Sequence, residues 1–244
     1  MKEVIYTIKE NTKVSRDVFR MVLEGDTGAI TGPGQFLNIK LTGRYLRRPI
    51  SIHDVNDEAV TILYKVVGHG TEDMCAMKPG EKLDVLVGLG NGFDVSCAGK
   101  APLVIGGGIG VAPMYLTAKR LVEAGCDVTA ILGFRSKEEC YYEEEFKALG
   151  CKVIITTEDG SYGVKGFVTH AIPETYSYVY TCGPEPMLKA VYRATEGPGQ
   201  FSFEERMGCG FGACMGCTCK TLTGYKRICK DGPVMLREEI LWEK

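Results

Sequence analysis

Residues 4–9 and 18–23 alternate apolar and polar side chains with a period of two, and Gly32-Pro33-Gly34 breaks the chain before an apolar run at 36–41. Further strand-like runs follow at 50–53, 60–67 and 82–87. Between them, Gly68-His69-Gly70-Thr71 and Lys78-Pro79-Gly80-Glu81 are strong loop signals. Short strands at this spacing predict an antiparallel sandwich or barrel over residues 1–98. From residue 99 the rhythm changes. Apolar runs at 102–105, 127–133, 152–156 and 178–181 alternate with helical patterns at 111–124, 137–149 and 185–194. That order predicts a parallel sheet covered on both faces over residues 99–200. Residues 201–244 form a third segment, rich in Gly and Cys, so the fold class is α+β in three modules.

Charge and composition narrow the function classes. Lys+Arg of 29 against Asp+Glu of 31 leaves a net charge of -2, with no basic excess to neutralise the phosphates of a nucleic acid. No apolar run approaches the ~18–20 residues that cross a bilayer, so no membrane role is expected. Met1-Lys2-Glu3-Val4-Ile5-Tyr6-Thr7 lacks the apolar core of a signal peptide, which points to the cytoplasm. Against that background 11 cysteines are many. Six are scattered, and five of those (Cys75, Cys97, Cys126, Cys140 and Cys151) are expected to be small buried hydrophobes. The other five, Cys209, Cys214, Cys217, Cys219 and Cys229, crowd together and point to a metal.

Leu103-Val104-Ile105 runs into Gly106-Gly107-Gly108-Ile109-Gly110-Val111-Ala112-Pro113-Met114. A strand, a glycine turn and a helix start in that order make an anion site, in which amides at the helix N-terminus face a pyrophosphate. Gly107, Gly108 and Gly110 are the candidate contacts, and Pro113 fits a first helical turn. Tyr180-Thr181-Cys182-Gly183-Pro184-Glu185 repeats the strand-to-helix turn, where parallel strand ends face a ligand crevice. Cys182, Gly183 and Pro184 are therefore candidates as well, with Cys182 either a candidate catalytic thiol at that crevice or a buried strand-end thiol. The next strand ends at Phe134-Arg135-Ser136 without the Asp or Glu that holds a ribose hydroxyl, which leaves NAD against NADP open.

Cys209, Cys214 and Cys217 have the spacing C-x4-C-x2-C of a plant-type [2Fe–2S] loop, with Cys229 following after eleven intervening residues. The interleaved glycines let the backbone turn its amides toward sulfur. A four-thiolate zinc site is the competing reading, although zinc modules usually use two C-x2-C pairs and one short pair occurs here. Cys219 is a fifth candidate; two residues past Cys217, it is expected to point away from the cluster, with ligation in place of Cys229 as the alternative. In the first module, Arg48-Pro49-Ile50-Ser51 offers a guanidinium for a pyrophosphate and a hydroxyl for a ring nitrogen, or else a solvated surface turn. His53, His69 and His170 receive no role, and Trp242 is expected to pack or to form an interface.

Together, the Arg-Pro-Ile-Ser strand, the Gly-Gly-x-Gly-x-x-Pro turn with Cys-Gly-Pro, and the cysteine loop resemble the ferredoxin–NADP reductase superfamily. The chain is most similar there to the electron-transfer subunits of class 1B dihydroorotate dehydrogenases. The Cys-Gly-x-Gly-Ala-Cys-x-x-Cys loop and the ending Tyr225-Lys226-Arg227-Ile228-Cys229-Lys230-Asp231-Gly232-Pro233 are the most specific parts, and the resemblance covers the whole chain. It implies an FAD-binding β-barrel, with Arg48, Pro49, Ile50 and Ser51 on the flavin and its phosphates and Leu63, Tyr64, Lys65, Gly70 and Thr71 completing the site. It implies NAD as the dinucleotide and Cys209, Cys214, Cys217 and Cys229 as ligands of a [2Fe–2S] cluster. It also implies a partner, the FMN-containing catalytic subunit that converts dihydroorotate to orotate in pyrimidine biosynthesis, with two of each chain. NADH gives up two electrons as hydride and the cluster takes one at a time, so a flavin belongs between them. Another reductase of the superfamily, a ferredoxin:NADP oxidoreductase or a sulfide dehydrogenase, would share these cofactors and differ in partner. A zinc-binding interaction module without catalysis is the alternative of another class.

Overall fold

The computed structural model describes residues 1–242. Six strands close a barrel: β1 (Lys2–Lys13), β2 (Val18–Glu24), β3 (Phe36–Ile39), β4 (Arg48–Val55), β5 (Ala59–Lys65) and β6 (Lys82–Leu89), in the order β1-β2-β5-β4-β3-β6. All pairings in it are antiparallel. The period-two alternation has its expected consequence. Tyr6, Ile8, Leu37, Ile39, Ile52, Ile62 and Tyr64 fill the barrel, and their neighbours along each strand face outward. Helix α1 (His69–Ala76) lies between β5 and β6. Gly68-His69-Gly70-Thr71, expected as a loop, is thus the start of a helix. The Thr71 hydroxyl donates to the Gly68 carbonyl and accepts from the Val67 amide, which turns two glycines into a helix start.

The second unit alternates strand and helix: β7 (Leu103–Gly107), α2 (Val111–Glu123), β8 (Thr129–Phe134), α3 (Glu143–Ala148), β9 (Lys152–Thr157), β10 (Val164–Lys165), β11 (Val179–Cys182), α4 (Glu185–Ala194) and β12 (Gly199–Ser202). The sheet order is β10-β9-β8-β7-β11-β12, all parallel, so the chain reverses its direction of growth at β7. A ligand crevice lies outside the strand ends at such a point. The helix expected over 137–149 divides into a 3-10 turn at Lys137–Glu139 and the short α3, because Tyr142 takes a left-handed φ of 65° between them.

After the cysteine loop come the hairpin β13 (Thr218–Thr221) and β14 (Gly224–Arg227), then β15 (Val234–Leu236), which pairs antiparallel with β12 as the last strand of the large sheet. Asn91, just beyond β6, donates to the Val234 carbonyl at 2.8 Å and accepts from the Val234 amide at 3.0 Å. Arg237 is buried and caps α4 through Thr195 Oγ1 at 2.8 Å and the Thr195 carbonyl at 2.7 Å.

The scattered cysteines depart from expectation. Of the five expected in the core, only Cys151 is buried; Cys97 is exposed, and Cys75, Cys126 and Cys140 are partly buried. Cys75 in the last turn of α1, Cys97 in a 3-10 turn and Cys126 just after α2 donate their thiols to Glu72 O, Asp94 Oδ2 and Gly99 O respectively. A thiol with a local acceptor has no need of the core.

Candidate redox site

Strands β3 and β4 run antiparallel with Phe36 opposite Ser51 and Asn38 opposite Pro49, and directly opposed residues share a face. Leu37 points into the barrel, so Phe36, Asn38, Pro49 and Ser51 face outward together. Arg48 reaches the first turn of α1, where Gly70 has no room for a Cβ because Arg48 Nε would overlap it. A guanidinium against a helix N-terminus is an anion site of two reinforcing parts. Nearby, Arg44 and Asp73 form two hydrogen bonds, at 2.6 and 3.0 Å.

The β5 residues divide by strand alternation. Tyr64 lies in the barrel core, donates to Asn11 Oδ1 at 2.9 Å and has its hydroxyl pKa raised by burial. Leu63 and Lys65 face outward, Leu63 into the core shared with the second unit and Lys65 into an ion pair with Asp17 at 3.0 Å. The Thr71 hydroxyl is engaged within its own helix start. From this strand and loop, Gly70 adjoins Arg48 closely.

At the sheet, the two turns pack into each other. A Cβ on Gly110 would come within 2.7 Å of the Gly183 Cα, and one on Gly107 would overlap the Met187 sulfur. Those two glycines let the turns approach. Gly108 differs, with a φ of +53° and open space above it, so its part of the turn is free to meet a ligand. The hydroxyl of Tyr141, a buried residue, donates to the Gly108 carbonyl at 2.7 Å and fixes that part of the turn. Pro113 falls in the first turn of α2. Cys182 ends β11 level with Gly106 on one side and Ser202 on the other. Burial pushes its thiol up to about 12 against the opposing Ser202 hydroxyl, so Cys182 is protonated at neutral pH.

His53, to which the sequence reading gave no role, joins the two units. It is buried on β4, donates from Nδ1 to the Ala112 carbonyl in the first turn of α2 at 2.8 Å, and stacks on Tyr115 at 4.6 Å. Lys119 of α2 pairs with Asp54 beside it at 2.9 Å.

The cysteine loop curls around its own sulfurs. Cys209 Sγ accepts from the amides of Phe211, Ala213 and Cys214 at 3.2–3.5 Å. Cys214 Sγ accepts from Cys209 and Gly216 at 3.4 Å, and Cys217 Sγ from Cys229 at 3.4 Å. Gly210 and Gly212, with φ of +79° and +89°, provide the left-handed turns that aim these amides inward. Burial raises the Cys209 thiol, but the amides of Cys214, Phe211 and Ala213 outweigh it and bring it down to about 6. Burial, reinforced by Cys217, pushes Cys229 up to about 12. Arg227 braces the loop, holding the Gly212 carbonyl at 3.0 Å and Asp231 at 2.9 Å.

This donor set fits an iron–sulfur core, which needs thiolates and inward amides together. Among the described residues no three His, Cys, Asp or Glu side chains gather to hold one metal ion. A two-iron core does not require such a gathering, since each iron takes two thiolates. Cys219 sits on β13 and lines a cavity of about 170 Å³ with Glu185, Glu205 and Trp242, while Cys217 and Cys229 pack with Phe36. Asn38 Nδ2 donates to the Cys209 carbonyl at 3.0 Å, tying the loop to the barrel.

The family model for the iron–sulfur cluster binding domain of dihydroorotate dehydrogenase B matches residues 204–241, and that for the oxidoreductase NAD-binding domain matches 104–193. The dihydroorotate dehydrogenase B (NAD(+)) electron transfer subunit of Bacillus pumilus is 43% identical, covering 98% of this chain and 98% of its own length. That of Shouchella clausii is 45% identical, covering 96% of each. A solved structure of an NADH-dependent reduced ferredoxin–NADP oxidoreductase, described for flavin-based electron bifurcation, is 31% identical with a TM-score of 0.87, covering 97% of this chain and 90% of that one. A ferredoxin reductase of carbazole 1,9a-dioxygenase, at 22% identity and a TM-score of 0.69, shares the fold over 79% of this chain.

Proposed function

The chain belongs to the dihydroorotate dehydrogenase B electron-transfer subunit family, and from that premise we propose how its residues carry electrons between NAD(H), FAD, a [2Fe–2S] cluster and the FMN of a catalytic partner subunit. A bound FAD would supply the conversion that neither neighbour makes alone, taking one hydride, two electrons, from NADH and passing electrons singly to the cluster. The chain supplies binding, orientation and electrostatics.

Arg48 and the amides opening α1 hold the FAD pyrophosphate; Pro49 shapes the flavin bed, Ile50, whose side chain packs on the barrel core opposite Leu37, offers only its backbone, and the Ser51 hydroxyl hydrogen-bonds a ring nitrogen. The amides about Gly108 hold the NADH pyrophosphate, with Gly107, Gly110 and Pro113 shaping that turn. Cys182, a neutral thiol, borders the nicotinamide together with Gly183 and Pro184. Cys209, Cys214, Cys217 and Cys229 ligate the iron, and the loop amides offset the negative charge that accumulates there. Residues 1–98, 99–200 and 201–244 serve as the FAD, NAD and cluster modules. Eleven free thiols suit a reducing compartment, which supports a cytoplasmic site.

One observation carries this reading. The outer face of β4 lies between the other two sites: Pro49 stands opposite Asn38, which holds the Cys209 carbonyl, and His53 four residues on holds the start of the nucleotide helix. A flavin on that face would have Cys209 toward one end and the turn at Ala112 toward the other. The higher identity to dihydroorotate dehydrogenase subunits than to the ferredoxin–NADP oxidoreductase favours an FMN subunit as partner. Co-purification with a subunit that oxidises dihydroorotate is the expected result. Stable association with a ferredoxin-reducing complex instead would transfer the chain to the other branch.

A further inference from the structure

Strand β3 reads Phe36-Leu37-Asn38-Ile39, and all four residues are buried. Leu37 and Ile39 fill the barrel; Phe36 and Asn38 face the cysteine loop. Asn38 is the polar exception, 1% exposed. Its Nδ2 donates to the Cys209 carbonyl, while its Oδ1 is buried with no partner among the described residues. An orphaned acceptor costs about 1–3 kcal/mol, so an apolar side chain of the same size would make the better barrel. The polar residue stands there for another reason.

The surroundings say which. Asn38 is level with Pro49 on the flavin strand, and its backbone carbonyl accepts from Arg47 Nη1 at 3.4 Å. On the loop side, Gly210 follows the ligand Cys209, and a Cβ there would come within 3.0 Å of the Asn38 Cγ. The loop therefore closes down onto this one amide. The bond grips the peptide that leads into the three amides aimed at Cys209 Sγ. We infer that Asn38 is a positioning residue for electron transfer, holding the Cys209–Gly210 peptide so that the cluster keeps a fixed distance and orientation to the flavin face of β4. This rests on the function proposed above. Asn38 donates no electron and touches no substrate; it acts through Cys209.

Asn38→Leu keeps the branched four-atom skeleton of the side chain and removes both the bond and the orphaned acceptor. Wild-type and variant holoproteins are compared, loaded with FAD and cluster, by thermal melting, by electron paramagnetic resonance of the reduced cluster, by its midpoint potential, and by anaerobic rapid mixing with NADH. The variant is expected to melt no lower than wild type and to bleach its flavin at the wild-type rate. Its cluster should be reduced roughly tenfold more slowly, the loss typical of an outer-shell partner. Its g-values should change and its potential become more negative, because amides turned away from sulfur no longer stabilise the reduced charge. Wild-type g-values, potential and flavin-to-cluster rate in a fully loaded Asn38→Leu protein would overturn the inference. Should that variant fail to load iron, Asn38→Ser, too short to reach Cys209, takes the same test with the same criteria. A wild-type protein lacking FAD or iron would refute the proposed function itself; a loaded wild type with indifferent variants refutes only the role of Asn38.

Discussion

Replacing His53 by asparagine keeps an N–H where Nδ1 donates to the Ala112 carbonyl but removes a titrating ring from the joint between barrel and sheet. Burial is the main reason that His53 is held down at about 4 against an ordinary 6.5. The Ala112 carbonyl and Asp54 oppose the shift, and Arg20 and Lys119 add to it. Between those two values the unfolded chain binds a proton that the folded chain refuses. The stability that His53 contributes by staying neutral is thus complete above about pH 6.5 and is lost as the pH falls toward 4. At about 1.4 kcal/mol for each pH step, the wild type should lose about 2 kcal/mol from this group between pH 7 and pH 5. Anaerobic urea denaturation followed by circular dichroism at pH 7, 6 and 5 measures it. The substitution leaves the rest of the chain unchanged, so the quantity of interest is the difference between the pH slopes of the two proteins. The His53→Asn variant is expected to start less stable, having lost the stacking on Tyr115, and to fall less steeply. Parallel curves for the two proteins would refute the buried neutral imidazole as a contributor.

Cys214→Ser should lose most of its iron and acid-labile sulfide while keeping FAD; colorimetric analysis with full iron would remove Cys214 from the ligand set. Gly70→Ala forces Arg48 away from the start of α1, and FAD affinity measured by fluorescence titration of the apoprotein should fall about tenfold, the worth of one charge-assisted contact. Gly110→Ala wedges the two nucleotide turns apart, costing about 1–3 kcal/mol in stability. It should raise the NADH concentration needed for half-maximal flavin reduction, with the FAD content unchanged.

The chemistry of each module was legible because its signals are local. C-x4-C-x2-C, the glycine turn after residues 102–105 and Arg48-Pro49-Ile50-Ser51 each lie within one loop or strand end. What joins the modules was not legible, since it depends on register and on contacts between distant segments. Asn38 meets Cys209 across 171 positions and His53 meets Ala112 across 59. Neither spacing leaves a periodic trace, although an asparagine inside a four-residue apolar strand was a signal to be read. The pairing of β15 with β12 escaped for the same reason. Residues 68–71 were misread because glycine weighs against helix, whereas the Thr71 side chain supplies the missing bonds. The thiols at 75, 97 and 126 were misplaced because residue type says nothing about a nearby carbonyl or carboxylate.

In the proposed function, electrons pass from NADH through FAD to the cluster within this one chain. Anaerobic rapid mixing of the loaded protein with NADH, read by flavin absorbance near ~450 nm and by freeze-quench electron paramagnetic resonance, follows both cofactors at once. Flavin bleaching followed by a reduced [2Fe–2S] signal, with both abolished in protein stripped of FAD, is the predicted result. A cluster that NADH reduces equally well without FAD, or one that stays oxidised while the flavin is fully reduced at matched potential, would contradict it.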